Sequence, residues 1–338
     1  MTIARFQFED IGTRTYAPEG PYGLVGTQSA FGGPTFNFGD VVEGDAESEF
    51  IFLRFSPVTA VTYNQGDVFV WDSSMMTAAA KLGAAYHPVG SHVGTLFLGG
   101  RIGDPASNLK GQGNIWSYTF TPGTYGIWVQ RAGATVANFT TVTLQTDLAY
   151  TTATAGSVSA LVSGAANSVT IQNLYTAPLS FTFTATDAVG SAQLTAVSDT
   201  NRLEIGMLLS GTGIPNPSYI TDIQGPIVYM SAAATSANTA TTVTAKKGTF
   251  YGVTVNGSPL ITVTGPPMGG GILGVYPNAT LTGTGVAGSI VSITALGNVY
   301  TITLSANCTA TNAAPGTSIA ATQYVEAFLT WPYVSVQN

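Results

Sequence analysis

The sequence predicts an all-β protein, a β-barrel or β-sandwich base domain that carries two small β-repeat modules. Three observations support this fold class. Apolar and polar residues alternate with a period of two in many short runs, Gly and Pro turn signals separate these runs, and one Thr/Ala/Gly-rich segment occurs twice. Only the stretch DSSMMTAAAKLGAA, residues 72–85, has a composition that suggests a helix, a short and weak one, with Asp72 as its N-cap.

The first strong strand signal is EFIFLRFS, residues 49–56. Phe50 and Phe52 point to one side of such a strand, and Ile51, Leu53 and Phe55 point to the other side. Because both sides are apolar, we expect this strand to be buried on both faces.

Three further runs follow the same rule. GDVFVWD (66–72) alternates Val with aromatic residues, and SFTFTAT (180–186) places its two Phe residues on one face and Thr on the other. WSYTFTPGTYGIWVQ (116–130) has Pro122-Gly123 between two alternating runs, which predicts a β-hairpin.

The repeated segment comprises residues 210–238 and, about seventy positions later, residues 282–312. Both copies contain Gly-Thr-Gly, whose glycines allow the positive φ angles of tight turns. In the second copy NVYTITLS turns Tyr300, Ile302 and Leu304 inward, and Val228 and Met230 occupy the matching positions of the first copy. Each copy is therefore interpreted as a three-stranded unit of about fifty residues.

These signals predict three domains. Residues 1–190 form the base domain, completed by a C-terminal strand at 320–338, while 191–247 and 248–319 form the two repeat modules. The C-terminal segment QYVEAFLTWPYV is again rich in aromatic residues, so we expect it to bury Phe328, Leu329 and Trp331 in the base domain.

Charge limits the possible partners. Only 8% of the residues are charged and the net charge is −7, which argues against nucleic acid, since phosphate binding needs clustered Lys and Arg. The only basic doublet, Lys246-Lys247, is interpreted as a solvated linker. No run approaches the roughly 20 apolar residues of a membrane span, and the N-terminus has no signal-peptide core, so we expect synthesis in a cytoplasm without export.

Two motifs have residues that could form ligand sites. GGGILG (Gly269 to Gly274) fits G-x-G-x-x-G, but a dinucleotide site also needs a preceding strand, a following helix and an acidic residue, and we interpret it as a connection between strands. His87 and His92 could both bind a metal, although a third ligand would have to come from elsewhere. We expect no cofactor and no metal.

The acidic run DVVEGDAESEF leaves three interpretations open. Four of its five acidic residues are spaced by two and would line one face of a strand, where they could bind Ca²⁺. They could instead protect a sheet edge from aggregation or contact a basic patch on a partner. The five are Asp40, Glu43, Asp45, Glu47 and Glu49.

Enzymatic activity is not expected. No G-x-S-x-G or P-loop motif is present, and neither His belongs to a catalytic motif. Paired carboxylates of a glycosidase are spaced in three dimensions rather than in sequence, and the second half offers few. Its acidic residues are Asp187, Asp199, Glu204, Asp222 and Glu326. The single cysteine, Cys308, matches Ala234 of the first repeat and is expected to act as a small apolar residue.

Several segments resemble the cement or decoration proteins of tailed bacteriophages, small β-domains that sit on the assembled capsid. The segments are GDVFVWDSS (66–74), VGTLFLGG (93–100), GTYGIWVQRAG (123–133), LAYTTATAGSVSA (148–160) and the C-terminal QYVEAFLTWPYV (323–334). The resemblance covers residues 40–186 and 320–338, and the Gly-Thr-Gly repeats resemble modules of phage head and fibre proteins. It implies no specific binding residues.

The resemblance implies a non-enzymatic virion structural protein on the capsid surface, with the major capsid protein as its partner and the repeats as a projection. A homo-oligomer, trimer or dimer, is expected. The alternative is a tail fibre or receptor-binding module whose repeats recognise a host surface glycan. A bacterial surface-layer or adhesin fragment is a third possibility, which the missing signal peptide weakens.

Overall fold

The structure, a computed structural model, describes residues 19–22, 36–44, 47–72, 77–80, 89–98, 116–141, 148–151, 158–159, 169–176, 179–264, 272–296 and 299–337. These residues form strands and turns and no helix, so the predicted all-β fold class is confirmed. None of them belongs to a helix that could cross a membrane. They divide into two compact units: residues up to 176 together with 323–337, and residues 179–322.

The strands are numbered in chain order. The first unit contains β1 Glu19–Tyr22, β2 Val41–Glu43, β3 Glu49–Phe55, β4 Val61–Asn64, β5 Val68–Asp72, β6 Thr77–Ala80, β7 His92–Phe97, β8 Ser117–Phe120, β9 Thr124–Thr141, β10 Leu148–Thr151, β11 Val158–Ser159 and β12 Val169–Thr176. The second contains β13 Ser180–Asp187, β14 Gln193–Leu194, β15 Leu208–Gly211, β16 Ser218–Gln224, β17 Ile227–Met230, β18 Asn238–Lys246, β19 Thr249–Thr254, β20 Leu260–Thr264, β21 Thr280–Gly283, β22 Val286–Leu296 and β23 Val299–Leu304. The last strand, β24 Asn312–Gln337, contributes to both units.

Five strands of the first unit close a ring in the order β3-β9-β7-β5-β6, with β6 returning to β3 by a parallel pairing. The inside of the ring is filled by alternate residues of these strands, among them Leu53, Phe69 and Ile127, all nearly fully buried. Phe120 of the separate β4–β8 pair packs into the same cluster. The period-two runs of the sequence therefore form this core.

The strand β3 is buried on both faces, as its sequence predicts. Ile51, Leu53 and Phe55 belong to the cluster inside the ring, while Phe50 and Phe52 belong to a second cluster outside it. In that second cluster the ring centroids of Phe52 and Trp128 are 4.9 Å apart. Aromatic pairs at this distance stabilise a core beyond the burial of their surface area.

Two local predictions in the first unit are wrong. The runs around Pro122-Gly123 do not pair as a hairpin: β8 pairs with β4, and the start of β9 pairs with β3. The turn instead takes the chain from one sheet to another, and a hydrogen bond between the hydroxyls of Thr121 and Tyr125 (2.8 Å) supports it. In the predicted helix at 72–85, the described residues 77–80 are strand β6, because their backbone pairs with β5 on one side and β3 on the other.

The C-terminal part of β24 belongs to the first unit. Residues 323–330 pair with 132–139 of β9, and residues 327–337 pair with β12. Leu329 is buried there with 1% exposure, but Phe328 and Trp331 are 40% and 57% exposed, so their expected burial is wrong. The register with β12 shifts between Tyr333 and Leu329, and Trp331 has φ +50° within this irregularity, so strict alternation does not hold.

The second unit consists of two six-stranded barrels with the same strand order. The first barrel has the order β13-β18-β15-β16-β17-β14 and is closed by a bridge between Thr186 and Thr195. The second has the order β19-β24-β21-β22-β23-β20 and is closed by β20 pairing with β19. Tyr300, Ile302 and Leu304 face inward as predicted, and so do Val228 and Met230.

Each barrel is larger than the unit that the sequence predicts. Each repeated segment contains two whole strands and one end of two others, and two preceding strands complete each barrel. Ser180–Asp187, assigned to the base domain from the sequence, pairs with β18 and belongs to the first barrel. The predicted boundary at 190 is therefore too late, because a domain boundary cannot separate two strands joined by seven register pairs.

The Gly-Thr-Gly segments form equivalent turns, and an asparagine locks each of them. The side-chain amide of Asn238 donates to the carbonyl oxygen of Thr212 (3.3 Å), and that of Asn312 donates to the carbonyl oxygen of Thr284 (3.1 Å). The third residue of each segment has a positive φ, +79° at Gly213. The repeated motif therefore closes the barrel turns, which explains why it occurs twice.

Candidate functional site

The acidic run is a hairpin rather than one strand face. β2 and β3 pair so that Glu43 lies opposite Glu49, with Glu47 in the turn at φ +60°. Glu49 forms an ion pair with Arg131, and Asp40 accepts a hydrogen bond from the backbone N–H of Asn37. Opposed residues of an antiparallel pair lie on the same face, so Glu43 and Glu49 share a face, whereas Glu47 lies in the turn. Asp45 lies outside the described residues.

The other ligand motifs are only partly described. His87 and Gly269 to Gly271 lie outside the described residues. His92 is part of β7, and its ring stacks on Trp71 with centroids 5.6 Å apart. In the described part of the chain, no three His, Cys, Asp or Glu side chains lie close enough together to hold a metal ion.

Two acidic residues of the second half have buried partners or are buried themselves. Asp187 is buried and accepts hydrogen bonds from the backbone and side-chain amides of Asn238 (2.5 and 3.0 Å). Glu204 forms an ion pair with Lys247, whose side chain is only 3% exposed, so Lys247 is not a solvated linker residue.

Asp199, Asp222 and Glu326 are the remaining acidic residues of the second half. Asp199 and Asp222 accept hydrogen bonds from backbone N–H groups one or two residues further along the chain, and Glu326 is buried in β24. Asp199 and Asp222 therefore stabilise the local backbone.

A buried polar cluster in the first unit was not predicted from the sequence. Tyr324 of β24 donates a hydrogen bond to Asp67 (2.8 Å), and the amide of Asn138 donates to the same carboxylate oxygen (2.9 Å). The amide of Asn64 also donates to the Tyr324 hydroxyl (2.9 Å). These residues are up to 260 positions apart, so no local sequence pattern could have indicated the cluster.

Burial and the charge of Asp67 control the chemistry of this cluster. Burial first, and then the neighbouring carboxylate, raise the pKa of the Tyr324 phenol far above its ordinary value. The same two causes raise the pKa of Tyr63 to about 12. A phenol held in its neutral form donates a hydrogen bond but does not act as a base at neutral pH, so the cluster fixes β24 in the first unit.

The most exposed aromatic side chains of the described chain lie on β24. We call Phe328, Trp331 and Tyr333 the aromatic surface; their exposures are 40%, 57% and 36%. Phe328 lies opposite Tyr175, and the Tyr333 hydroxyl donates to the side chain of Gln172 (2.5 Å). Large apolar groups exposed together are typical of a surface that binds another macromolecule. This surface is the candidate functional site of the first unit.

The first barrel contains a shallow groove. It is lined by Ser180, Phe181, Thr182, Phe183, Asp199, Arg202 and Leu203. The guanidinium carbon of Arg202 lies 6.0 Å from the centroid of the Phe181 ring. A half-buried aromatic ring beside hydroxyls, a carboxylate and a guanidinium offers both stacking and hydrogen bonds to a small polar ligand.

Comparison with known proteins gives no family. No protein-family model matches the chain, and no curated protein and no solved structure shows significant similarity to it. The proposals below therefore depend on the sequence and on the geometry described above.

Proposed function

We propose that the chain is a non-enzymatic structural protein of a tailed-bacteriophage particle. In this proposal the first unit binds the major capsid protein on the capsid exterior, and the two barrels form a projection. The observation that supports it best is the aromatic surface, because Phe, Trp and Tyr are enriched in protein–protein interfaces, and Trp and Tyr are common among the residues that dominate the free energy of binding.

The architecture of the second unit agrees with such a role. Two barrels with the same strand order follow one another in the chain. The chain leaves the first unit after β12 and returns to it in β24. Repetition of a stable module extends a surface without requiring a new fold for each part. A protein that projects from a particle has this requirement.

The composition predicts how binding depends on salt. The aromatic surface contains no charged residue, so binding through it does not depend on ion pairs. We expect the protein to remain bound to its particle at about 1 M salt, where the Debye length is about 3 Å. Release at moderate salt would point to the acidic hairpin around Glu43 and Glu49 as the contact.

Immunogold labelling of virions purified from a lysate of the source virus tests the proposal. Label on the head lattice, lost when Trp331→Ala replaces the wild-type chain, is the expected result. Label on the tail, or none on the particle, would contradict it. The variant Val58→Ala, which changes an exposed valine elsewhere in the first unit, serves as a matched control.

The groove of the first barrel favours one alternative, a fibre module that binds a host surface glycan. Sugars stack on aromatic rings and bind carboxylate and guanidinium groups through their hydroxyls, and Phe181, Asp199 and Arg202 supply all three. A glycan array probed with the full chain and with Arg202→Ala separates the two functions. Binding that Arg202→Ala abolishes would favour the fibre module.

A further inference from the structure

The outer side of the second barrel is a three-stranded surface without charge. Strands β20, β23 and β22 lie side by side, and their outward residues form rows, with Thr262 opposite Thr301 and Thr301 opposite Thr294. We call this surface the uncharged face. Its other outward residues are Leu260, Ser292, Leu296, Val299 and Thr303.

Large apolar side chains are exposed on this face. Leu296 is 87% exposed, Leu260 45% and Val299 39%, and Val291 at the bulge of β22 is 60% exposed. Single exposed apolar residues are ordinary on protein surfaces, but here Leu296 lies opposite Val299 at one end of the face. Leu260 and Val291 lie towards the other end, with rows of Thr between the two pairs, and we call these four side chains the apolar patch. The patch costs free energy in water unless another surface covers it.

The equivalent side of the first barrel is polar and satisfied within itself. There the side-chain amide of Gln224 donates to Asp222 (2.7 Å), and the Tyr229 hydroxyl donates to Gln224 (3.3 Å). Gln224 pairs with Ile227 at the end of β16 in the first barrel. At the equivalent position of the second barrel, Leu296 pairs with Val299. The exposed apolar patch is therefore specific to the second barrel and is not required by the shared fold.

Charge indicates what covers the face. Residues 248–325 contain no Asp, Glu, Lys or Arg, so the whole net charge of −7 is carried by the rest of the chain. Two copies of the chain repel each other where these charges meet, but not where two uncharged faces meet. Rows of Thr, Val and Leu on a pleated surface also suit face-to-face packing of two sheets. The surface that this face fits best is therefore the same face of another copy.

We propose that the uncharged face is the contact between two copies of this chain, packed symmetrically with the two Leu296 side chains touching. Such a contact is isologous, because each copy contributes the same residues. The contact depends on no particle, so it can be tested in solution whether or not the chain is a virion protein.

Sedimentation equilibrium of the full-length chain at micromolar concentrations tests the proposal. Wild type should dimerise equally at about 0.1 and 1 M salt, because no ion pair contributes to the contact. Leu296→Asp and Leu296→Lys should each raise the dimer dissociation constant at least about tenfold, since each places like charges opposite one another. Mixing the two variants should restore association, because opposite charges then meet.

Two controls make the result specific. Val189→Asp places the same charge at a valine of the first barrel that is 67% exposed, and it should dimerise like wild type. Far-UV circular dichroism and the melting temperature of each variant show that it is folded. A wild type that stays monomeric, variants that dimerise like wild type, or a mixture that does not associate would each overturn the proposal.

Discussion

The two barrels of the second unit share their scaffold and differ in their surfaces. They have the same strand order, and their turns repeat the same hydrogen bonds. The backbone N–H of Ala234 donates to Ser191 O in the first barrel, and that of Cys308 donates to Ser258 O in the second, both at 2.8 Å. On the outer side, however, one barrel presents Asp, Gln and Tyr and the other presents Leu, Val and Thr.

This difference separates the residues that are repeated because the fold requires them from the surface residues that can vary between the two barrels. The repeated residues are the inward apolar positions, the turn glycines and the asparagines that lock them. The residues that differ face solvent, where the fold does not determine them. In this chain the repeated motif therefore reports the architecture, and the candidate contacts lie outside it.

Substitution of the turn glycines should have the largest effect on stability. The effect should be at least as large at Gly285, which is crowded by the Cβ and backbone of Ala310, as at Gly213, which is crowded by side-chain ends. A Cβ on Gly213 would lie 2.6 Å from the Asn238 amide nitrogen, and one on Gly285 would lie 2.8 Å from the Ala310 backbone nitrogen. Both residues also have positive φ. Each Gly→Ala change should lower the free energy of unfolding by about 2–4 kcal/mol, combining backbone strain with overpacking, measured by urea denaturation.

Glycines of another equivalent pair of turns, those before β14 and β20, provide matched controls. Gly190 and Gly257 have positive φ of +74° and +80°, but nothing lies within 4 Å of a Cβ built on them. Their Gly→Ala variants should be destabilised only by the backbone strain of a positive φ, about 1–2 kcal/mol. Equal losses at Gly213 and Gly190 would show that the turn is not packed as described.

The loss of stability on replacing the turn asparagine should differ between the two barrels. Asn238→Ala leaves the buried carboxylate of Asp187 without its side-chain donor, whereas Asn312→Ala leaves only the neutral hydroxyl of Thr254. We expect losses of about 2–3 and about 1 kcal/mol, because a buried carboxylate that loses one of its donors costs more than a neutral hydroxyl that loses one. Thermal unfolding of both variants measures the losses. A larger loss for Asn312→Ala would contradict this assignment.

Sequence patterns predicted the fold well where they depend on local alternation. β3, the inward residues of the second barrel and the burial of Cys308 all follow from a period of two or from the repeat itself. The predictions that are wrong depend on pairing between distant strands. The sequence around Pro122 shows two runs and a turn, but it does not contain the information that β4 competes successfully for β8.

The candidate surfaces were less accessible to sequence analysis. Trp331 is a large aromatic residue of a kind that is usually buried. Its exposure is known only from the structure, where it lies at the irregular register between β24 and β12. The uncharged face could have been noticed from the absence of charge after Lys247, but only the strand order brings β20, β23 and β22 together. The cluster around Asp67 depends on contacts across most of the chain.

Alkaline pH should lower the stability of the first barrel through Tyr219. The equivalent position of the second barrel is Ser289, which does not titrate in this range. Burial raises the pKa of Tyr219, whose hydroxyl accepts a hydrogen bond from the backbone N–H of Tyr251. Above pH 10 the unfolded chain loses this proton before the folded chain does, so stability falls as pH rises. Tyr219→Phe should reduce the slope between pH 10 and 11 by up to about 1 kcal/mol per pH unit in urea denaturation. An unchanged slope would contradict this.

The smallest effect is expected at a pair of serines. The hydroxyl of Ser231 accepts a hydrogen bond from the backbone N–H of Tyr219 (2.9 Å). The hydroxyl of Ser305 accepts the equivalent hydrogen bond from the backbone N–H of Ser289 (3.0 Å). Each Ser→Ala change should cost about 1 kcal/mol, because one hydrogen bond of the same kind is lost. Costs that differ by more than this amount, measured by urea denaturation, would show that the barrels are not equivalent at this position.

Deletion of the two barrels tests the central claim most directly, namely that they are inserted into a first unit that is complete without them. Thr176 pairs with Ala327, so the chain leaves and re-enters the first unit at the same end of the β12–β24 pair. Joining residue 177 to residue 323 through a short Gly/Ser linker should therefore give a folded protein. Truncation after Pro315 should instead unfold the first unit, since it removes Leu329, Tyr324 and the pairing partners of β9. Thermal unfolding of both variants gives the answer. A cooperative transition in the deletion and none for the first unit in the truncation is the predicted result, and the reverse would contradict the account.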